Sequence, residues 1–231
     1  MPVAIVTGAS RGFGRALATD LAKDGWHLVL DARGAEALAV AAYELQPLGI
    51  EVRALAGDVV HPGHRSRLVD EARRLGGPDL LVLNAGALGP SPLPTLDTLD
   101  PGALADLLAV NVVSQLALVQ AALPALRRAR GTVVALSSDA AVEGYQGWGA
   151  YGATKAALDT LMAVLGAEEP GLSAYAFDPG DMRTDMHQAA FPDEDISDRP
   201  EPEAAAVPAL RRLLEEAPPS GRYRAAALLA P

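Results

Sequence analysis

Cysteine is absent from this chain of 231 residues. Its absence excludes disulfide bonds, thiolate catalysis and cysteine-based metal sites, and it is consistent with a cytoplasmic protein. Lysine is nearly absent too, because Lys23 and Lys155 are its only lysines against seventeen arginines. In a chain that uses arginine for almost every cation, Lys155, which lies four residues after Tyr151, invites a chemical explanation.

The chain also lacks a basic surplus and a long apolar run. Its net charge of −10 argues against a nucleic-acid-binding surface, which needs cations for the phosphates. No uninterrupted apolar run approaches the roughly 18 residues of a membrane span, and no basic segment precedes the strand-like run at Val3, so we expect neither a span nor a signal peptide. The acidic residues between Asp178 and Glu203 favour a solvated loop over a metal site, and no metal is expected.

Short β-rich runs alternate with longer helical patterns along the whole chain. The predicted strands are Val3–Thr7, His27–Ala32, Val52–Gly57, Asp79–Asn84, Thr132–Ser137, Leu172–Asp178 and Arg222–Leu228. The predicted helices are Gly14–Asp24, Ala35–Leu48, His64–Leu75, Pro101–Ala129, Tyr151–Leu165 and Pro202–Glu216. Consecutive apolar residues in several strands are typical of parallel strands that are covered on both faces. The pattern predicts a doubly wound parallel sheet in a single α/β domain over residues 1–231.

Two irregular stretches interrupt this alternation, at residues 87–101 and 182–202. Both follow predicted strands, and ligands of open α/β sheets bind beyond the carboxyl ends of the strands. We therefore expect the two stretches to form walls of a substrate site. Residues that could line it are Tyr145, Trp148, Met182, Met186, His187 and Phe191, although ordinary packing explains each of them equally well.

A glycine-rich turn, Thr7–Gly14, follows the first strand and opens the first helix. Glycines let the backbone approach a pyrophosphate closely, and a helix N-terminus offers free N–H groups and a positive dipole end. The spacing Gly-x-x-x-Gly-x-Gly differs from the common Gly-x-Gly-x-x-Gly fingerprint. Its place between strand and helix nevertheless predicts a dinucleotide site.

Tyr151 and Lys155 are four residues apart on a predicted helix, so their side chains share one face. A free phenol titrates near 10, and an adjacent ammonium favours its charged form. Ser138, thirteen residues upstream of Tyr151, adds a hydroxyl that can hold a carbonyl oxygen. Taken alone, the pair is more simply a surface lysine beside a half-buried tyrosine.

The motifs together, in their order along the chain, resemble the short-chain dehydrogenase/reductase family in its compact single-domain branch. Besides the glycine turn, Ser138 and the Tyr151/Lys155 pair, they are Gly57-Asp58-Val59, Asn84-Ala85-Gly86, Asn111, and Pro179-Gly180 with Thr184. The resemblance extends from Val3 to about Met186. It implies a Rossmann-type sheet of about seven strands in the order 3-2-1-4-5-6-7. It also implies hydride transfer between a nicotinamide and a small carbonyl or secondary alcohol, by a homodimer or homotetramer.

The resemblance assigns a role to each catalytic candidate. Tyr151 would be the general acid/base on the substrate oxygen, and Lys155 would lower its pKa and bond the nicotinamide ribose. Ser138 would donate to the substrate oxygen, where charge develops. Asn111 would hold a water that links Lys155 to solvent. The hydride itself belongs to the nicotinamide.

The resemblance also implies which residues contact the dinucleotide. Asp58 would accept a hydrogen bond from the adenine amino group, with a turn cap as the alternative, and the segment from Pro179 to Thr184 would grip the carboxamide. The full set is Gly8, Ser10, Arg11, Gly12, Phe13, Gly14, Arg33, Asp58, Val59, Asn84, Ala85, Gly86, Tyr151, Lys155, Pro179, Gly180 and Thr184.

The end of the second strand favours NADP(H) over NAD(H). The acid that would select NAD falls at Ala32 and is missing, while Arg33 stands where NADP-using members of the family place an arginine. Arg11 in the glycine turn is a second cation for a 2′-phosphate. Asp31 dissents from this interpretation, but one position earlier on a strand its side chain should point to the other face.

Two rival functions stay open. A sugar-nucleotide epimerase or dehydratase from the extended branch tends to have another glycine spacing and a longer C-terminal domain. A dinucleotide-binding redox sensor without catalysis often lacks the Tyr/Lys pair, which is present here. The substrate is not specified by these motifs.

Overall fold

Seven parallel strands form one sheet, in the order β3-β2-β1-β4-β5-β6-β7. The computed structural model describes residues 1–230, so the predicted domain range ends one residue beyond them, at Pro231. The strands are β1 (Val3–Val6), β2 (His27–Ala32), β3 (Val52–Ala56), β4 (Leu80–Leu83), β5 (Thr132–Leu136), β6 (Ser173–Asp178) and β7 (Gly221–Arg224). The predicted fold class and strand order are confirmed.

Helices cover both faces of this sheet. They are α1 (Gly12–Lys23), α2 (Ala35–Leu45), α3 (Pro62–Arg74), α4 (Pro101–Leu108), α5 (Ser114–Ala129), α6 (Gly149–Glu168), α7 (Asp185–Ala190), α8 (Ala206–Glu216) and α9 (Ala225–Leu229). Side chains alternate across each strand, so Ala4 and Val6 pack with α1, α2 and α8, whereas Val3 and Ile5 pack with α3, α5 and α6. Two apolar layers result, and together they explain why the inner strands are apolar at every position.

The C-terminal end differs from the predicted pattern in two places. The helix predicted from Pro202 begins at Ala206, because residues 202–205 form turns in which the N–H of Val207 bonds the carbonyl of Pro202 at 2.9 Å. The strand predicted to run to Leu228 stops at Arg224 and gives way to α9. Three successive alanines followed by leucines favour a helix there.

The predicted helix Pro101–Ala129 is interrupted by a π-helical turn at Ala109–Val113, between α4 and α5. Such turns widen the helix by one residue and often mark functional positions. The stretch is long and apolar enough to cross a membrane, although its apolar runs are short. About 33% of its most apolar window is buried, and that face, including Leu118 and Leu126, packs on the sheet.

The carboxyl ends of β1, β4, β5 and β6 lie side by side at one edge of the sheet. The glycine turn, the 84–100 segment, Ser138 and the segment after Asp178 all start there. The irregular excursion predicted at 182–202 also starts on this side and contains one short helix, α7. The parallel topology therefore brings residues that are far apart in sequence to one cleft.

Candidate active site

The glycine turn is built against Asn84. Its side-chain amide donates to the carbonyls of Thr7 at 2.8 Å and Gly8 at 3.1 Å, and its own N–H bonds the Thr7 hydroxyl at 3.0 Å. Gly8 has a φ of +66°, which favours glycine. A Cβ on Gly14 would lie 2.5 Å from the Gly8 carbonyl oxygen and would also collide with the Asn84 amide. Asn84 thus supports the glycine turn, and its expected contact with the dinucleotide stays a prediction.

The N-terminus of α1 fits a pyrophosphate. Its N-cap residue, Arg11, gives no side-chain hydrogen bond to the first turn, and that turn contains no acid. The backbone N–H groups of the first helical turn have no partner within a helix and attract anions. The glycines leave the backbone uncovered, so the chain has the cradle that a dinucleotide needs. Only the backbone of Phe13 is left for its expected cofactor contact, because its side chain packs in the core against Phe177.

Asp31 faces the interior of the protein. Its carboxylate is 2.5 Å from Nε2 of His64, and both side chains are almost fully buried. Burial raises the pKa of Asp31, against the opposing effect of His64. The carboxylate is thus held by α3 at the end of β2, turned away from solvent as its strand position predicts. Gly57 makes room for the pair, because a Cβ there would overlap the His64 ring.

The two arginines expected at a 2′-phosphate behave differently. Arg33 is exposed just after β2 and forms no ion pair with any other residue of the described range 1–230. Arg11 instead contacts Asp185 at the start of α7, with 2.9 Å between Nη1 and Oδ2, and both side chains are mostly exposed. Asp185 therefore pairs with one of the two arginines that were expected to bind the 2′-phosphate.

The adenine-side candidates have local roles as well. Asp58 Oδ1 accepts a hydrogen bond from the N–H of Val60 at 2.9 Å. One carboxylate oxygen therefore caps the turn, as the alternative interpretation predicts. Val59 is buried beside it. Ala85 donates its N–H to the Thr7 hydroxyl at 2.9 Å, and Gly86 lies against Asn111.

Tyr151 and Lys155 lie on one face of α6, as their spacing predicts. The Lys155 Nζ is 5.4 Å from the centre of the Tyr151 ring and donates to the carbonyl of Leu136 at 2.6 Å. Both residues are buried, and burial lowers the pKa of Lys155 to about 8. The lysine is thereby fixed beneath the phenol by the last residue of β5.

The pKa of Tyr151 is shifted in the direction opposite to the expected lowering by Lys155. Burial raises that pKa, and the nearby negative charges of Asp139 and Asp178 raise it further. Trp148 packs edge-on against the phenol ring, with 5.7 Å between ring centres, and helps to exclude water. The phenol is therefore protonated at neutral pH in this arrangement.

Ser138 follows β5 and is held in an extended conformation. Its hydroxyl donates to Asp139 Oδ1 at 3.0 Å and accepts from the N–H of Ala140 at 3.2 Å. The second Asp139 oxygen lies 3.1 Å from the Tyr145 hydroxyl, whose single proton has a shorter acceptor in Glu143 Oε2 at 2.8 Å. Asp139 was not among the predicted site residues, although its position directly after Ser138 is visible in the sequence.

Asn111 lies in the π-helical turn and is fully buried. Its amide exchanges two hydrogen bonds with the backbone of Ala87, at 2.8 and 2.9 Å, and donates to the Thr154 hydroxyl at 3.0 Å. It thereby ties the loop after β4 to the residue next to Lys155. The predicted water-holding role stays a prediction, with one lone pair of its carbonyl oxygen left for it.

A cavity of about 490 Å³ opens over the catalytic candidates. Ser138 and Tyr151 lie on its wall together with Pro179, Gly180 and Thr184 from the segment after β6. All six residues proposed from the sequence as substrate contacts line it: Tyr145, Trp148, Met182, Met186, His187 and Phe191. Leu88, Ser137, Asp139, Asp178 and Asp181 complete the lining and were not predicted.

Comparison with known proteins gives one family throughout. The model of the family described as short chain dehydrogenase matches residues 2–195. The chain belongs to the short-chain dehydrogenase/reductase family. The sepiapterin reductase of Meriones unguiculatus is 39% identical over 201 residues, which cover 81% of this chain and 77% of that protein. The sepiapterin reductase of Rattus norvegicus is 38% identical over 201 residues, which again cover 81% of this chain and 77% of that protein.

Solved structures of the family superpose on nearly the whole chain. An alcohol dehydrogenase from Thermococcus sibiricus, complexed with 5-hydroxy-NADP, has a TM-score of 0.87 and 28% identity, covering 97% of this chain and 95% of its own. A Shigella flexneri short chain dehydrogenase complexed with NADP has a TM-score of 0.88 and 28% identity, covering 97% of both chains. This short-chain dehydrogenase/reductase is therefore an enzyme of a nicotinamide-binding family that acts on small molecules.

A charged cluster behind the cavity wall that carries Ser138 and Tyr151 was not predicted from the sequence of this dehydrogenase/reductase. Arg222 from β7 contacts Asp159 of α6 and Asp178 at the end of β6, and all three lie largely out of solvent. Asp159 has a local signal, because it stands one helical turn after Lys155. Arg222 has none, since its partners are at least 44 residues away in the chain.

Proposed function

We propose that the protein is an NADP(H)-dependent oxidoreductase that interconverts a small carbonyl compound and its secondary alcohol, with Tyr151 as general acid/base. One observation carries the proposal. Tyr151 and Ser138 line the same cavity as residues of the 179–184 segment, and the Nζ of the buried Lys155 is 5.4 Å from the centre of the Tyr151 ring. This is the arrangement of acid, oxygen-binding hydroxyl and buried cation that carbonyl reduction needs.

The protonation state of Tyr151 suits the direction of reduction. A nicotinamide dinucleotide bound at the glycine turn supplies the hydride. Because its raised pKa keeps Tyr151 protonated at neutral pH, the phenol can donate its proton to the substrate oxygen as charge develops on it. Lys155, as a buried cation near the ring, then stabilises the phenolate that remains.

Ser138 has to exchange one hydrogen bond for another during the reaction. A hydroxyl carries a single proton, and in the present structure Ser138 donates it to Asp139. When a substrate oxygen arrives, the Ser138 proton turns towards it, and the N–H of Ala140 continues to hold the serine oxygen in place. Asp139 retains the N–H of Ala140 as a donor, at 2.8 Å.

The preference for NADP(H) is supported by charge and by similarity. Arg33 is exposed just beyond β2, and Asp31 is occupied by His64, so a 2′-phosphate would meet a free guanidinium and no free carboxylate from that strand. Two of the solved relatives are complexes with NADP or a derivative of it.

The cavity supports a substrate with a flat body that carries hydrogen-bond donors, because Asp139 and Asp181 are on its wall as well. Trp148, Phe191 and two methionines form its walls, and its volume is in the range of sites for small organic ligands. Sepiapterin, the compound in the name of the rodent relatives, is therefore the first substrate to test. Simple aromatic and aliphatic ketones and aldehydes complete the panel.

Nicotinamide absorbance with NADPH and with NADH against this panel tests the proposal. We expect oxidation of NADPH with at least one carbonyl substrate and a lower kcat/KM with NADH. Arg33→Met should reduce the preference for NADPH, while Arg128→Met, an exposed arginine at the opposite end of the sheet, should leave it unchanged. Tight binding of NADPH with no turnover on any substrate would favour the redox sensor instead.

We propose that the protein pairs with a second copy through the outer faces of α5 and α6. Val113, which ends the π-helical turn before α5 and is 61% exposed, Leu116 of α5 and Val164 of α6 are exposed apolar residues on this side. Light scattering of the purified protein should give twice the chain mass, and Val113→Asp with Val164→Asp should give the chain mass. A wild-type protein that scatters as a single chain would rule the pairing out.

A further inference from the structure

Arg222 lies at the centre of the charged cluster behind the catalytic wall. It is the second residue of β7 and pairs in register with Ala176 of β6. Its Nη2 donates to the Ser138 carbonyl and to Asp178 Oδ2, both at 2.9 Å, and its Nε donates to Asp159 Oδ2 at 3.0 Å. One guanidinium therefore joins the end of β5, the end of β6 and the middle of α6.

Each of these contact points adjoins a group of the proposed reaction. The Ser138 carbonyl belongs to the residue whose hydroxyl faces the substrate. Asp178 also accepts the N–H of Gly180 at 3.0 Å, which fixes the turn that closes the cavity. Asp159 stands one turn after Lys155 and accepts the Ser137 hydroxyl at 2.8 Å.

The burial of the partners makes this contact specific to arginine. Asp178 is 3% exposed and Asp159 14% exposed, so each carboxylate needs a cation or donors to replace water. A planar guanidinium can serve three acceptors at once, because its five N–H donors are fixed in a fork. An ammonium at the same position would restore the charge and lose the geometry.

We propose that Arg222 is a positioning residue of this enzyme, which holds Ser138 and the 178–180 turn at fixed places relative to α6. The proposal rests on the proposed function, since Ser138 and Tyr151 are its reacting groups. Arg222 lies outside residues 2–195, which the family model matches, so this tie is contributed by the C-terminal strand of this chain.

Arg222→Met removes the contacts of Arg222 with Ser138, Asp178 and Asp159 and so tests the proposal. Arg53→Met is the matched control. Arg53 is likewise an arginine of an outer strand that pairs with two carboxylates, Glu51 and Glu71, but at the opposite edge of the sheet. We expect kcat with NADPH and a carbonyl substrate to fall by about 100-fold in Arg222→Met, the order of loss from small misplacements of reacting groups. Arg53→Met should keep the wild-type kcat. Arg222→Lys should fold like the wild type and recover part of the rate.

The pH profile separates positioning from a loss of stability. The charged groups that face Tyr151 are Asp139 after β5, Asp178 of β6 and Lys155 on its own helix. Loss of the Arg222 cation leaves Asp178 with the more distant and more exposed Arg224, whose Nε is 3.7 Å from the same oxygen. The negative charge of Asp178 is then less compensated, so the pKa of Tyr151 rises further. The rate of alcohol oxidation rises with pH as the phenolate of Tyr151 forms. This rise should move to higher pH in Arg222→Met and stay in place in Arg53→Met.

Hydrogen exchange of the backbone gives a readout that is independent of turnover. The segments 137–142 and 177–181 should exchange faster in Arg222→Met than in the wild type, and at the wild-type rate in Arg53→Met. If the wild type reduces no carbonyl compound, the proposed function fails while this comparison still decides the tie. Unchanged exchange in both segments, with an unchanged pH profile in an active enzyme, would overturn the proposal.

Discussion

Replacing Gly14 with alanine should damage both the fold and the dinucleotide site. The new Cβ would lie 2.5 Å from the Gly8 carbonyl oxygen, and a backbone atom cannot rotate away as a side chain can. Either α1 or the glycine turn has to move, which costs about 1–3 kcal/mol, the usual range for overpacking. For a domain of this size each kcal/mol lowers the Tm by roughly 2–4 °C. We expect the Tm to fall by between about 2 and 12 °C.

The same displacement moves the N–H groups that would hold a pyrophosphate. A loss of about 1.4 kcal/mol in binding corresponds to a tenfold weaker Kd, and we expect at least that loss for NADPH. The control is Gly63→Ala, in the first turn of α3, where a Cβ meets nothing within 4 Å. There alanine should leave the Kd unchanged and keep or raise the Tm. Thermal unfolding and NADPH titration of both variants provide the measurement. A Gly14→Ala protein with wild-type Tm and Kd would refute the reasoning.

Three further predictions concern the cleft. Ser138→Ala should lower kcat for carbonyl reduction by about 10²–10³-fold with an unchanged NADPH Kd, because it removes one donor at the developing oxyanion, and stopped-flow traces with saturating NADPH will measure it. Asp139→Asn should lower the pKa of Tyr151, because it removes a negative charge that raises this pKa. The rise of the alcohol oxidation rate with pH should then begin at lower pH. A rise at the wild-type pH would show that Asp139 has no influence on the phenol. Asp185→Asn should release Arg11 and strengthen NADPH binding by no more than about fivefold, as an exposed ion pair contributes up to about 1 kcal/mol, while the Kd for NADH stays the same.

The sequence predicts the sheet well because its determinants are local. Apolar runs such as residues 4–6 and 80–83 are typical of parallel strands covered on both faces, and the structure buries them completely. The C-terminal end was harder to predict, because the apolar run Ala225–Leu229 is compatible with a buried strand and with a helix. The structure has a helix there, in agreement with the helix propensity of alanine and leucine. The π-helical turn at Asn111 carries no signal that separates it from an α-helix.

The cleft was predictable where a residue's role depends on its neighbours in the sequence. Tyr151 and Lys155 share a helix face because of their spacing, and the residues that follow β6 line the cavity because of the topology. Contacts between distant segments were not predictable in the same way. The pairing of Arg11 with Asp185 and of Arg222 with Ser138 depends on side-chain directions that only the packed structure fixes.

In the proposed NADPH-dependent carbonyl reduction Tyr151 supplies the proton, and Tyr151→Phe removes that proton donor. The change removes one hydroxyl and keeps the ring that packs on Trp148. We predict a fall in kcat/KM for reduction of about 10²–10⁴-fold, the usual contribution of a general acid, with an NADPH Kd close to that of the wild type. A Tyr151→Phe enzyme that reduces the same carbonyl compound with the wild-type kcat/KM would contradict the account.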